Sequence, residues 1–324
     1  MVKVFKTYEI DNALWVKITE GFNESFDKNI PNTALRTGYC ISNVLGYAYH
    51  AIDLDDKTGE VRGFHTFFPA FYQGGIKAVI GGNTYVRKKY RKDAFVFYDL
   101  EWALRDAVAA EGYVLEAGVP NHNSREYARK FLNTKYVANL DYYILPLNLS
   151  KTLGKRSLKN FDGIVRLIVK GYSAFQGVIS NIFNRKEKAV KFSLDVNEDF
   201  LRARFRNPKY IKYEENGVTS YYTIVDENGS KAAYLMDFRE KGKKTKRALA
   251  KTVRFIIKKE APDAILYVGF LKMRQHVLLK VPSKYEPKHL PLTYYILNNN
   301  EERKFEGIDD PQNWDFSLIN FDVR

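Results

Sequence analysis

The sequence has one cysteine, Cys40, in 324 residues. An intrachain disulfide and a cysteine-rich zinc cluster are therefore excluded, and this usage fits a reducing compartment. No stretch approaches the roughly 18 uninterrupted apolar residues of a spanning helix, and the opening MVKVFKTYEI is too charged for a signal peptide. The expected location is the cytoplasm. Catalytic spacings are equally scarce. The five histidines, His50, His65, His122, His276 and His289, form neither an HExxH motif nor a close metal-ligating pair, so no metal is expected. There is no Walker phosphate loop, and Ser124 has no GxSxG context. Zinc-finger spacing, a heptad-plus-basic region and an RNP-like strand are all missing, which argues against nucleic acid as the main partner.

Acidic residues are the minority, 38 against 52 Lys and Arg, for a net charge of +14. Such a field suits a phosphate-rich cofactor, an anionic membrane surface or nucleic acid, and charge alone does not choose among them. Hydrophobic residues make up 45% and charged residues 28%, ordinary globular usage. The length is about twice that of a common domain, so two cores are expected.

Periodicity predicts an alternating α/β chain. Leu14, Ile18 and Phe22 form a helical stripe behind the cap Asp11, and strands are expected near 43–53, 62–68 and 76–86. The clearest helix spans 93–111, with Phe97, Leu100, Leu104 and Val108 on one face before Gly112. A strand at 113–119, a short helix from Ser124 to Leu132 capped by Ser124, and a strand at 141–147 complete the first half. A basic connector follows, in which Ile164, Ile168, Phe175, Ile179 and Ile182 share a helical face. It reads as a helix packed between domains, with peripheral membrane contact as the alternative. The second half repeats the order: strands at 191–196, 221–225 and 232–238, a helix at 244–259, a strand at 264–268, a helix at 272–280 and a strand at 292–297. The expected division is 1–150, a connector 151–190, and 191–324.

Two segments, VRKKYRKDAFV at 86–96 and PNHNSREYARKFLN at 120–133, resemble the GNAT superfamily, particularly its tandem-domain bacterial members. The resemblance implies α/β architecture with mixed sheets, two GNAT-like folds in tandem, and an acyl-CoA-dependent N-acyltransferase. Acetyl-CoA is the expected donor, another acyl-CoA the variant, and a small amine such as an amino sugar the acceptor. In the family a strand ending in valine runs through a basic turn into a long helix, whose N-terminal amides hold the pyrophosphate. Val86, Arg87, Lys88, Arg91, Lys92 and Ala94 match that turn. Ala94 stands where the signature has glycine and Val96 where it has a small residue. Asn121, Asn123 and Ser124 match the region beside the pantetheine arm, and also suit a helix cap. Tyr127 is the candidate acid for the leaving thiolate, and Glu116 the candidate base for the amine. The second half carries the resemblance more weakly, since EKGKKTKR lacks the full signature, so one acyl-CoA site or none is expected. A FemABX-like transfer from aminoacyl-tRNA, and a non-catalytic scaffold with a degenerate CoA turn, are left open.

Overall fold

The computed structural model describes residues 2–41, 44–152, 154–186, 188–298 and 303–321, without the side chains of Ile41, His122, Asn123 and Arg156. The first part of the chain runs β1 (Val2–Lys6), α1 (Asn12–Phe26), α2 (Asn32–Ile41), β2 (Tyr49–Leu54), β3 (Val61–Tyr72), β4 (Ile76–Val86), α3 (Phe95–Ala110), β5 (Leu115–Gly118), α4 (His122–Phe131) and β6 (Lys135–Asn139). It continues through β7 (Tyr142–Pro146), α5 (Leu149–Thr152), α6 (Asp162–Ile182), β8 (Phe192–Ser193), α7 (Glu198–Arg204), β9 (Tyr210–Glu215), β10 (Val218–Glu227) and β11 (Ser230–Glu240). The last elements are α8 (Lys246–Glu260), β12 (Ala264–Val268), β13 (Leu279–Lys280), β14 (Pro291–Ile296) and β15 (Trp314–Asp315).

These elements form two compact units, and neither is contiguous. The first comprises Met1–Asn139, Leu194–Arg206 and Leu290–Pro311; the second comprises Leu140–Ser193, Asn207–His289 and Gln312–Arg324. The divisions expected at 1–150 and 191–324 fail because each half lends a strand to the other's sheet. In the first unit the order is β1-β2-β3-β4-β5-β14-β6, and in the second it is β13-β7-β12-β11-β10-β9. The strand expected to close the first half, β7, pairs with β12, while β14 inserts between β5 and β6. Strand patterning fixes which side chains turn inward but not which sheet receives them.

In the first unit both faces of the sheet are covered. Side chains alternate across the strands, so Ile52, Phe64 and Tyr85 pack with Trp15 and Ile18 of α1. Ala51, Phe67 and Val79 pack on the other face with Val96, Leu100, Leu104 and Val108 of α3. Asp11 caps α1 as expected, its Oδ1 accepting from Leu14 N–H at 2.8 Å. In the second unit Leu249, Val253 and Ile256 of α8 pack onto Leu235, Ile265 and Tyr267.

The helix expected at 272–280 does not form. Gln275 bonds the backbone of Leu278 in both directions, donating to its carbonyl at 3.1 Å and accepting from its N–H at 2.8 Å, a local turn that competes with helix. The second unit therefore has no counterpart of α4.

Candidate active site

The site expected in the first unit begins where β4 and β5 part. The two strands pair in parallel from Ala78↔Leu115 to Ile80↔Ala117. Beyond this, β4 runs on to Val86 beside β3, while β5 ends at Gly118. The result is a fork whose walls are glycine: Gly81 and Gly82 on β4, Gly118 on β5. A Cβ on Gly118 would come no closer than 4.0 Å to the Gly81 backbone, and no side chain would stand within that distance of it. The three glycines leave these positions without side chains, although a Cβ on Gly82 would meet Phe68 at 3.3 Å and one on Gly81 would meet His65 and Phe67 at 3.7 Å.

The turn leaving β4 spans Arg87 to Ala94 and delivers the chain to α3. Its five cations divide. Arg87 is held by Glu24, Nη2 to Oε2 at 2.6 Å, and by Glu60, which also binds Lys89. Arg91 folds back, its Nε donating to the Val86 carbonyl at 2.9 Å. Lys88 and Lys92 are exposed and, among the described residues, have no carboxylate partner. The two departures from the GNAT signature have physical compensation. Ala94 sits at φ −66°, ψ −20°, where alanine is unstrained, so the backbone there makes no demand for glycine. Val96 is buried, and with Leu100 it occupies the space a Cβ on Gly63 would need, at 2.7 and 2.8 Å.

Two groups stand at the start of α3. Asp93 Oδ1 accepts from Phe95 N–H at 3.0 Å, and the Tyr127 hydroxyl donates to the Ala94 carbonyl. Tyr127 also packs between Phe97 and Phe131. Burial raises its pKa, and its hydroxyl, bonded to the Ala94 carbonyl, ties α4 to the start of α3. Asn121, not Ser124, caps α4: its Oδ1 accepts from Ser124 N–H at 3.0 Å, and the Ser124 hydroxyl turns back to the same side chain at 3.2 Å. The side chain of Asn123 lies outside the described residues.

Glu116 points from β5 into a buried charge cluster that periodicity did not reveal. Arg105 of α3 donates through Nε to Glu116 Oε2 at 2.7 Å, and the same Nε lies 3.1 Å from Glu101 Oε1. Arg105 also donates to the Leu132 carbonyl at 2.7 Å and to Thr134 Oγ1 at 3.2 Å, with its guanidinium 3.8 Å from the centre of the Tyr295 ring. Glu101 Oε2 lies 3.0 Å from His65 Nε2, and His65 Nδ1 pairs with Thr84 Oγ1. Burial first, and the neighbouring Glu101 carboxylate second, push the Glu116 carboxyl up to about 8. Glu101, beside His65 and Arg105, is held low. In this structure Glu116 is tied to Arg105 inside the buried cluster and helps bind β5 to α3. The sequence did carry one signal, a Glu101/Arg105 pair one helical turn apart, bordering the apolar face. His50 is a packing residue: buried, bonded to Thr7 Oγ1 at 2.8 Å and Thr66 Oγ1 at 3.0 Å, and stacked on Phe64. Burial lowers its pKa to about 3.

The corresponding fork in the second unit is filled. β11 and β12 pair from Ala232↔Ala264 to Leu235↔Tyr267, then β11 continues to Glu240. Gly269 N–H bonds the Asp141 carbonyl on the β7 side at 2.9 Å. By strand alternation Val268 and Phe270 face the β11 side, and there the Val268 carbonyl accepts from Leu318 and the Phe270 N–H donates to Phe316. The segment 316–318 therefore occupies the gap. Gly269 lies at φ +145°, where a Cβ would meet Ser317 Cβ at 2.3 Å. The start of α8 is closed as well. Thr245 caps it through Ala248 N–H at 3.0 Å, Lys246 N–H donates to the Arg185 carbonyl at 2.8 Å, and Lys244 is buried against Asp315.

No protein-family model matches the chain, and no curated protein sequence does. Solved structures do. A conserved protein from Enterococcus faecalis, titled a probable N-acyltransferase, matches with TM-score 0.55 at 10% identity over 94% of this chain and 74% of that one. GCN5-related N-acetyltransferases from Anabaena variabilis (TM-score 0.54, 9% identity, 92% and 73%) and Kribbella flavida (0.52, 10%, 92% and 72%) match similarly. With the two sheets described above, these likenesses establish the fold: mixed α/β, with two GNAT-like sheets in the tandem arrangement.

Proposed function

We propose that the chain is an acyl-CoA-dependent N-acyltransferase with one donor site, in the first unit. The observation that carries this reading is the glycine-walled fork between β4 and β5, leading into a basic turn at the start of α3. Acetyl-CoA is the proposed donor and a small amine the acceptor, with an amino sugar the first to test. Bound, the donor supplies a thioester: the amine nitrogen bonds to its carbonyl carbon, the carbon–sulfur bond breaks, and the amine's proton is passed on as the thiol leaves.

The chain's own residues hold and orient that donor. Lys88 and Lys92 offer free positive charge to a diphosphate, and Arg91 adds its guanidinium edge beyond the Val86 carbonyl. Asp93 already takes the Phe95 amide, so the helix contributes through the remaining amides of its first turn. The strand edges flanking Gly81 and Gly118 offer N–H and carbonyl groups to a pantetheine amide, as sheet edges do to an extended peptide. Arg87, already paired twice, shapes the turn rather than binding the ligand. Asn121 and Ser124 fix the direction of α4 at the mouth of the fork. The Arg105–Glu116 pair keeps β5 at its distance from α3.

The test is a calorimetric titration with acetyl-CoA, followed by a transfer assay on a panel of small amines and amino sugars. Wild-type protein should bind. Gly118→Leu, which places a side chain in the fork at a backbone position that tolerates one, should lose binding by at least about a hundredfold with an unchanged unfolding midpoint. Binding that survives in Gly118→Leu would move the site elsewhere. Absence of binding in the wild type, with activity only from aminoacyl-tRNA or none, would replace this reading by the tRNA-dependent or the scaffold alternative.

A further inference from the structure

Helix α6 is amphipathic, but it is turned inside out. A helix packed by its apolar stripe shows its polar side to water. Here the residues buried are Ser173, Gln176 and Ser180, on the side that packs against α8. Those exposed are Ile164 59%, Leu167 74%, Ile168 62%, Phe175 58%, Val178 58% and Ile182 69%. At about 100° per residue these six fall in an arc roughly 100° wide, lying nearly opposite the buried polar three. No charged side chain of the helix lies in that arc. Phe161 and Phe183, 54% and 66% exposed, extend it at either end. The packed apolar face expected from the sequence is thus open.

Cations rim this face. Lys159 precedes the helix, Lys170 lies on its flank, Arg254 of α8 lies against Gly177, and Arg185, Lys186 and Lys188 follow; all six are exposed. In residues 151–191 only Asp162 and Glu187 oppose the basic residues, and the Asp162 carboxylate accepts from the Ser150 N–H at 2.9 Å and from its hydroxyl at 2.5 Å. Among the described residues no helix is long and apolar enough to cross a membrane, so α6 has the character of a helix lying along an interface.

We propose that α6 docks on an anionic lipid bilayer, its apolar arc entering the headgroup–acyl boundary and its cationic rim meeting the phosphates. Charge selects this occupant over a second copy of the chain. Two such faces brought together would oppose cation to cation in a chain of net charge +14, whereas an anionic bilayer supplies countercharge and apolar depth at once. The inference is independent of the acyltransferase reading, and its readout does not involve acyl-CoA.

Sedimentation of the full chain with vesicles tests it. Vesicles of phosphatidylcholine with about one-third phosphatidylglycerol should bind the protein at least about tenfold more tightly than phosphatidylcholine alone, an advantage that shrinks in about 0.5 M salt. The double variant Leu167→Ser/Phe175→Ser should bind anionic vesicles at least about tenfold more weakly, with an unchanged unfolding midpoint because both side chains are exposed. Equal binding to both vesicle types, no binding to either, or undiminished binding of the double variant would each overturn the proposal. So would a wild-type dimer in light scattering that this variant dissociates without any vesicle binding, which would identify the occupant as a second copy.

Discussion

The two units present the same junction in opposite states. In the first, a long strand parts from a short parallel neighbour at Ile80 and Ala117, the gap is walled by glycine, and the following turn keeps Lys88 and Lys92 exposed. In the second, the strands part at Leu235 and Tyr267, but residues 316–318 bond into the gap and Lys244 is buried against Asp315. The same sheet geometry is therefore glycine-walled in one copy, where we propose the donor site, and a closed seam in the other. What differs is whether the chain itself satisfies the strand edge and the turn cations; those left unsatisfied are the ones a ligand can use.

Substitutions on either side of this comparison should have unequal effects. The largest is expected from Gly269→Ala. Its φ of +145° and the 2.3 Å approach to Ser317 leave no room for a methyl group, so chemical denaturation should show a loss of about 3 kcal/mol or more, with acetyl-CoA affinity of the folded protein unchanged. A neutral Gly269→Ala would mean that the seam is loose and the contrast between units overstated. Next comes the double variant Lys88→Ala/Lys92→Ala, expected to weaken acetyl-CoA binding roughly tenfold and flatten its salt dependence. An effect of that size from Lys243→Ala in the second unit would place the donor there instead.

Tyr127→Phe separates two roles for one hydroxyl. As a tie to the Ala94 carbonyl, its removal should raise KM for acyl-CoA about threefold and leave kcat within about twofold. A fall in kcat of about a hundredfold at constant KM would restore it as the acid. The smallest expected effect concerns pH. The Glu116 carboxyl is raised from 4.5 to about 8, so the folded state holds a proton that the unfolded chain has released. Its contribution to stability is full below pH 4.5 and lost as pH rises through 8, by at most about 1.4 kcal/mol per pH unit. His50, lowered from 6.5 to about 3, works in the opposite direction, losing stability as pH falls below 6.5. Between pH 6.5 and 8 the melting temperature should therefore decline, and Glu116→Gln should flatten that decline; an identical slope in the variant would show that Glu116 is ionised throughout.

Local pattern was legible and long-range exchange was not. The stripes of α1, α3 and α8 and the strand β4 could be read from spacing because each repeats a period along contiguous residues. The swap of β7 and β14 could not, since a strand's alternation is the same in either sheet. The helix expected at 272–280 failed for a local reason, the Gln275 turn. At the site, the basic turn and the Asn121/Ser124 cap were visible in the sequence. The buried cluster of His65, Glu101, Arg105 and Glu116 was not, because its members come from β3, α3 and β5 and meet only in the folded chain. The compensation between Val96 and Gly63 was hidden likewise, lying 33 positions apart.

The most direct test of the account is the stoichiometry of acetyl-CoA binding by calorimetry, in wild type and in Gly118→Leu. One site per chain, abolished by filling the first fork, is the predicted result. Two sites, or one that persists in Gly118→Leu, would contradict the assignment of an open junction to the first unit and a closed one to the second.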